Sequence, residues 1–177
     1  MSILPTLADR FEIEVLRGEF TDAAMVHDYD RFASLFTSDG AWRIPYANVE
    51  LIGAHEIRSG IERAQGVWEY FVQTAHPGMI RLDGDTAVGR AYVSELGRFR
   101  DGRSQLHYAI YHDRYQRTQD GWKFAERVYE VRYVDTTPLA GFGAGASRDA
   151  GRPLTNATSG PPSSRTPLSD VPGPEAS

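Results

Sequence analysis

Residues 86–134 read TAVGRAYVSELGRFR, DGR, SQLHYAIYHDRYQR, TQDG and WKFAERVYEVRYV in succession. Three long runs rich in Val, Tyr, Ile and Phe are separated by Asp101-Gly102 and Asp120-Gly121, and a shorter run, Met79 to Leu82, is joined to the first by Asp83-Gly84. Asp-Gly between β-rich runs marks a hairpin, because the tight turns that join antiparallel strands need positive φ. The stretch therefore predicts an antiparallel meander of strands at about 79–82, 86–100, 104–117 and 122–134. Strands of that length form a sheet that twists and curls.

What precedes the meander has a different period. From about Thr6 to Val26, Ile13, Leu16, Phe20, Ala23 and Ala24 form a helical stripe, with Phe11, Val15 and Met25 beside it. Asp28 to Phe36 predicts a short second helix presenting Phe32, Leu35 and Phe36. Ser38-Asp39-Gly40 is a turn signal, and Ala41 to Ile44 a short strand stopped by Pro45. A third helix is expected after Gly53, with Ile57, Ile61, Ala64, Trp68 and Phe71 spaced by four, three, four and three. Helices grouped before strands give an α+β fold, a curved antiparallel sheet with three N-terminal helices filling its concave side and a pocket between them.

Composition narrows the function classes. The chain has 177 residues, 41% of them hydrophobic, a formal net charge of −5 and no cysteine. An acidic balance argues against a nucleic-acid footprint. There is no apolar run long enough for a membrane span and no charged-then-apolar leader, so the expected location is the cytoplasm. Lack of cysteine removes disulfides and thiolate chemistry. After Asp135 the chain becomes rich in Gly, Pro, Ala, Ser and Thr. Such a segment buries too little apolar area to offset its ordering entropy, so 1–135 is read as one domain and 136–177 as a disordered tail, whose first residues, to about Phe142, lie across the domain. No metal-ligand spacing, dinucleotide or phosphate loop or serine-hydrolase elbow is present, so no metal and no cofactor is expected.

The strand from Thr86 to Arg100 separates Ala87, Gly89, Ala91, Val93, Glu95, Gly97 and Phe99 from a more polar face. Small residues allow close approach of a helix or ligand, which turns that face inward and leaves Glu95 as its lone carboxylate. On the next strand, His107, Tyr111, Asp113 and Tyr115 share one face, and Leu106, Tyr108, Ile110 and His112 the other; alternation alone does not choose which is inner. The outer face of the sheet, with Tyr92 and Leu96, suits burial by a second copy, which makes a homodimer the expected assembly.

Three segments carry a resemblance. Residues 28–40, DYDRFASLFTSDG, resemble the D-W-D-x-L-A-x-L-F-x-D-D-x stretch of SnoaL-like proteins. Residues 53–58, GAHEIR, resemble the G-x-E-x-I start of their third helix, and 120–124, DGWKF, the D-G-W-R-I opening of their last strand. The resemblance covers about residues 7 to 135 and implies the cone of the nuclear transport factor 2-like superfamily. Within it, residues 74–95 are similar to the scytalone and bile-acid dehydratase branch. That resemblance puts His76 at the position of a catalytic histidine and Glu95 at that of an acidic partner, while Met25 stands where the branch has a catalytic aspartate. Asp22, one helical turn earlier, is the candidate replacement. Tyr46, Tyr111, Met25 and Trp68 are the candidate substrate contacts.

The implied activity is proton transfer on an apolar, oxygenated small molecule, polycyclic ones included: dehydration, isomerisation or cyclisation, with His76 as shuttle, Glu95 as partner and tyrosine hydroxyls as oxygen donors. The rival is a non-catalytic binding or assembly module on the same fold.

Overall fold

The structure, a computed structural model, describes residues 3–141 and Gly143. The elements in chain order are α1 (Ile3–Met25), α2 (Tyr29–Ser34), β1 (Phe36–Ile44), a 3₁₀ turn (Pro45–Ala47), β2 (Val49–Ile52), α3 (Gly53–Gly66), β3 (Trp68–His76), β4 (Ile80–Asp83), β5 (Thr86–Phe99), β6 (Ser104–Thr118) and β7 (Gly121–Asp135). The seven strands form one open, curved sheet in the order β2-β1-β7-β6-β5-β3, with β4 pairing β5 beyond the end of β3. The helices lie in its concavity, the cone expected from the sequence. Among the described residues no helix is long and apolar enough to cross a membrane.

The sheet is mixed where an antiparallel one is expected: β1 runs parallel to β7, with Trp42 opposite Arg127. Two further elements depart from the periodicity. The third helix stops at Gly66, so Trp68 and Phe71 stand on the edge strand β3. Strand β1 begins at Phe36, and the Ser38-Asp39-Gly40 signal falls in an irregularity of its pairing with β7 between Phe36 and Ala41.

α1 buries the stripe read from its sequence: Ile13, Leu16, Phe20, Ala23 and Ala24 are all buried. Phe20 is the hub, its ring 4.4 Å from Phe32 and within 6.2 Å of Phe36, Trp42, Tyr111 and Phe124. α2 is capped by Asp28, whose side chain accepts from the Arg31 backbone N–H at 3.1 Å. Arg31 then joins the two helices by pairing with Glu19 and Asp22 on α1.

The small-residue face of β5 does point inward, and two glycines show why it must be small. A Cβ on Gly89 would stand 2.4 Å from the Arg17 guanidinium, and one on Gly97 2.9 Å from the Trp68 indole. β5 thus lets an α1 arginine and a β3 indole lie flat against its backbone. Below this surface Arg127, 2% exposed, is gripped by both Asp113 oxygens at 2.8 and 3.1 Å. Its guanidinium lies 4.1–4.2 Å from the Tyr111, Phe20 and Phe124 ring centres. Tyr115 donates to Asp113 at 2.5 Å and accepts from Arg17 at 2.7 Å.

Beyond β7 the chain crosses the outer face: the Leu139 N–H meets the Ser104 hydroxyl at 3.1 Å, and the Tyr70 hydroxyl reaches the Gly141 carbonyl at 3.5 Å. The expectation of disorder for 136–177 concerns, from Ala144 onward, residues outside those described.

Candidate active site

Between the helices and the concave face lies a cavity of about 340 Å³. Its walls are mostly apolar: Phe20, Ala24, Phe32, Trp42, Ile44, Ile61, Trp68, Phe71, Leu96 and Phe99 contribute, and Tyr46, 62% exposed, stands at the mouth. Such a volume and lining are those of a small-molecule site. Among the described residues no Lys or Arg lines it, and Glu95 is its single carboxylate.

The polar groups form one row across four strands, β3, β5, β6 and β7. Register sets Gln73 of β3 opposite Glu95 of β5, and Glu95 opposite His107 of β6. Gln73 Nε2 donates to Glu95 Oε1 at 2.6 Å, and the Tyr129 hydroxyl donates to Glu95 Oε2 at 2.6 Å. His107 Nδ1 lies 3.4 Å from the Tyr129 oxygen and 3.9 Å from Glu95 Oε2. Because the Tyr129 proton is committed to Glu95, its oxygen is left to accept from an Nδ1–H. That tautomer leaves His107 Nε2 as a free acceptor, and Nε2 is buried with no protein partner among the described residues.

Burial raises the Glu95 pKa against the lowering effect of the Tyr129 and Gln73 hydrogen bonds, and it lowers that of His107. Burial, reinforced by the Glu95 charge, pushes the Tyr129 and Tyr111 hydroxyls far up, so both are donors throughout the physiological range.

Of the residues singled out in the sequence, Glu95, Tyr46, Tyr111 and Trp68 line the cavity. His76, Asp22 and Met25 do not. His76 ends β3 opposite Tyr92, exposed on the face of the sheet away from Glu95. Asp22 is exposed and paired with Arg31. Met25 is half-buried behind the wall, its sulfur accepting the Gln73 backbone N–H at 3.1 Å. Gln73, His107 and Tyr129 are the polar site residues that the sequence did not single out. His107 was visible on the face shared with Tyr111, and Tyr129 carried no signal beyond its alternation with Arg127.

Residues 5–128 match the SnoaL-like domain family. The chain is 33% identical over 148 residues to gamma-hexachlorocyclohexane dehydrochlorinase of Sphingobium indicum, across 80% of this chain and 90% of that protein. It superimposes on hexachlorocyclohexane dehydrochlorinase LinA-type3 of Novosphingobium barchaimii with a TM-score of 0.71 at 25% identity, covering 80% of this chain and 97% of that one. A proposed scytalone dehydratase of Novosphingobium aromaticivorans shares the fold, with a TM-score of 0.67 at 18% identity over 80% of this chain and 97% of that one.

Proposed function

This chain belongs to the SnoaL-like domain family, and from that premise we propose that it is a lyase- or isomerase-type enzyme removing a proton from a neutral, mostly apolar, oxygenated small molecule. One observation carries the reading: an imidazole whose Nε2 has no partner among the described residues, backed through Tyr129 by a buried carboxylate, in a cavity lined mostly by apolar side chains. A buried site without cationic lining disfavours anionic substrates, which would meet Glu95 with nothing to offset its charge.

The chemistry follows from the row. His107 Nε2 accepts the substrate proton, and the imidazolium so formed lies 3.9 Å from Glu95. In a low-dielectric pocket that pairing stabilises charge as it develops. Tyr111 supplies a hydroxyl on the same wall for the oxygen that gains electron density. Elimination, as in the dehydrochlorinase relative, and double-bond migration both begin with this step. The test uses 2-tetralone, a neutral bicyclic ketone, in D₂O, with NMR reading deuterium entry next to the carbonyl. Accelerated exchange that disappears in His107→Ala supports the proposal. Binding of the ketone without acceleration assigns the fold here to a ligand carrier instead.

The pH dependence has a definite sign. A lowered histidine pKa keeps Nε2 unprotonated to lower pH than in free histidine, so the acidic limb of kcat/KM is expected below 6.5. A limb above 6.5 would mean that the ion pair with Glu95 outweighs burial.

Assembly belongs to the same proposal. Tyr92, Tyr108 and Tyr133 are 46%, 53% and 53% exposed on the outer face, and a second sheet would bury them. Sedimentation equilibrium is expected to give a dimer at micromolar concentration, and a Tyr108→Glu monomer; a wild-type monomer removes the idea.

A further inference from the structure

The geometry points to Gln73 as the residue that selects substrates by a hydroxyl hydrogen, its Oε1 accepting an O–H from the bound molecule. This deepens the reading of the cavity as a proton-transfer site and rests on it.

Gln73 is 7% exposed and lines the cavity. The orientation of its amide is dictated by its neighbour: in the Glu95 carboxylate both oxygens are acceptors, Oε2 already taking the Tyr129 proton, so Oε1 faces the amide NH₂, as it does at 2.6 Å. That leaves the amide oxygen without a partner among the described residues. The main chain is held as well, because the Gln73 N–H is bonded to the Met25 sulfur at 3.1 Å. An acceptor fixed at both ends cannot turn to find a donor elsewhere.

A ligand bearing a hydroxyl satisfies that oxygen. One of the same shape without the hydrogen leaves it desolvated and unpaired, a penalty that falls on affinity. The hydroxylated and the fully substituted or halogenated versions of one ring system are therefore told apart at Gln73, with strand β5 between it and the proton-accepting imidazole. The inferred substrate class is a neutral ring compound with a free hydroxyl or enol, a class that a polyhalogenated ring does not enter.

The test compares 2-naphthol with 2-methoxynaphthalene, which keeps the oxygen and loses the hydrogen, by calorimetric titration at pH 7. Wild type is expected to bind the naphthol about tenfold or more tightly than the ether. Gln73→Met, close in volume, is expected to bind both equally, with the ether unchanged. Should that variant not fold, Gln73→Asn, which retracts the amide by one methylene, is expected to lose the preference. His107→Ala is expected to retain it. Equal binding of both probes by wild type, binding of neither, or a preference that survives Gln73→Met and vanishes in His107→Ala would each overturn the assignment. Deuterium exchange into 2-tetralone reports separately on the proton-transfer reading: loss of that activity with the naphthol preference intact would sink the enzyme and leave the hydroxyl site standing.

Discussion

His107→Ala is expected to lower turnover by about 10²–10⁴-fold, the usual scale for a lost acid–base group, with the melting temperature nearly unchanged. The imidazole is half-buried at the cavity wall and its Nε2 has no partner among the described residues to be orphaned, so removing it costs the fold little. Glu95→Gln keeps the shape and removes the charge. It is expected to reduce turnover by a smaller factor and to move the acidic limb further down, since an imidazolium without the carboxylate beside it is harder to form. The contrary outcome has a clear signature. If His107 is structural, its removal lowers stability by about 1–3 kcal/mol and leaves turnover per folded molecule intact. Thermal stability and exchange rate measured on the same preparations separate the two.

Asp113→Leu carries the largest expected effect on stability, a loss of about 3–5 kcal/mol, because it strands the Arg127 charge under the cavity floor. Arg127 has both its close carboxylate contacts from Asp113, and three aromatic rings lie against its guanidinium. Ring faces attract a cation but do not replace a bidentate carboxylate. Arg127→Met is expected to cost less, since Asp113 keeps the Tyr115 hydrogen bond and the Arg17 guanidinium 3.9 Å away. The double variant should recover much of the loss, as apolar replacements of buried pairs commonly do. Urea unfolding of the four proteins is the measurement. A loss below about 1 kcal/mol for Asp113→Leu would mean that Arg127 reaches solvent by rearrangement.

Much of the fold was legible because its signals were local. The Asp-Gly turns delimit β5, β6 and β7, and the α1 stripe from Ile13 to Ala24 names its own buried face. β3 was hidden by coincidence. Trp68 and Phe71 continue the four-three spacing of Ile57, Ile61 and Ala64, and both point into the core whether the chain there is helical or extended; the interruption at Gly66 was the available signal. The parallel pairing of β1 with β7 could not be read locally, since nothing near Trp42 in sequence refers to Arg127.

The site was less legible than the fold, and the reason is register. The turn between β5 and β6 spends three residues, Arg100 to Gly102, with Phe99 bonded to Arg103 and Gly102 at a φ of 89°. A two-residue turn on the same Asp-Gly would pair Glu95 with Tyr108 and send His107 to the outer face. A single residue of loop length therefore decides whether a histidine or a tyrosine stands beside the carboxylate. His76, by contrast, was placed by resemblance to a family position, and in this chain alternation along β3 gives the inner place to Gln73.

The parallel join of β1 to β7 also sets a timetable for synthesis. α1, α2, β1 and α3 leave the ribosome with Phe20, Phe32, Phe36 and Trp42 unsatisfied, since the strand that completes their core, with Phe124 and Arg127 on it, is made last. The three-strand meander pairs neighbours in sequence and can assemble quickly, whereas closure on β1 must wait for the distant end of the chain. During that interval the aromatic stripe of the N-terminal third is open to chaperones and to other nascent chains. The cavity, roofed by those same helices, comes into being only with the final strand.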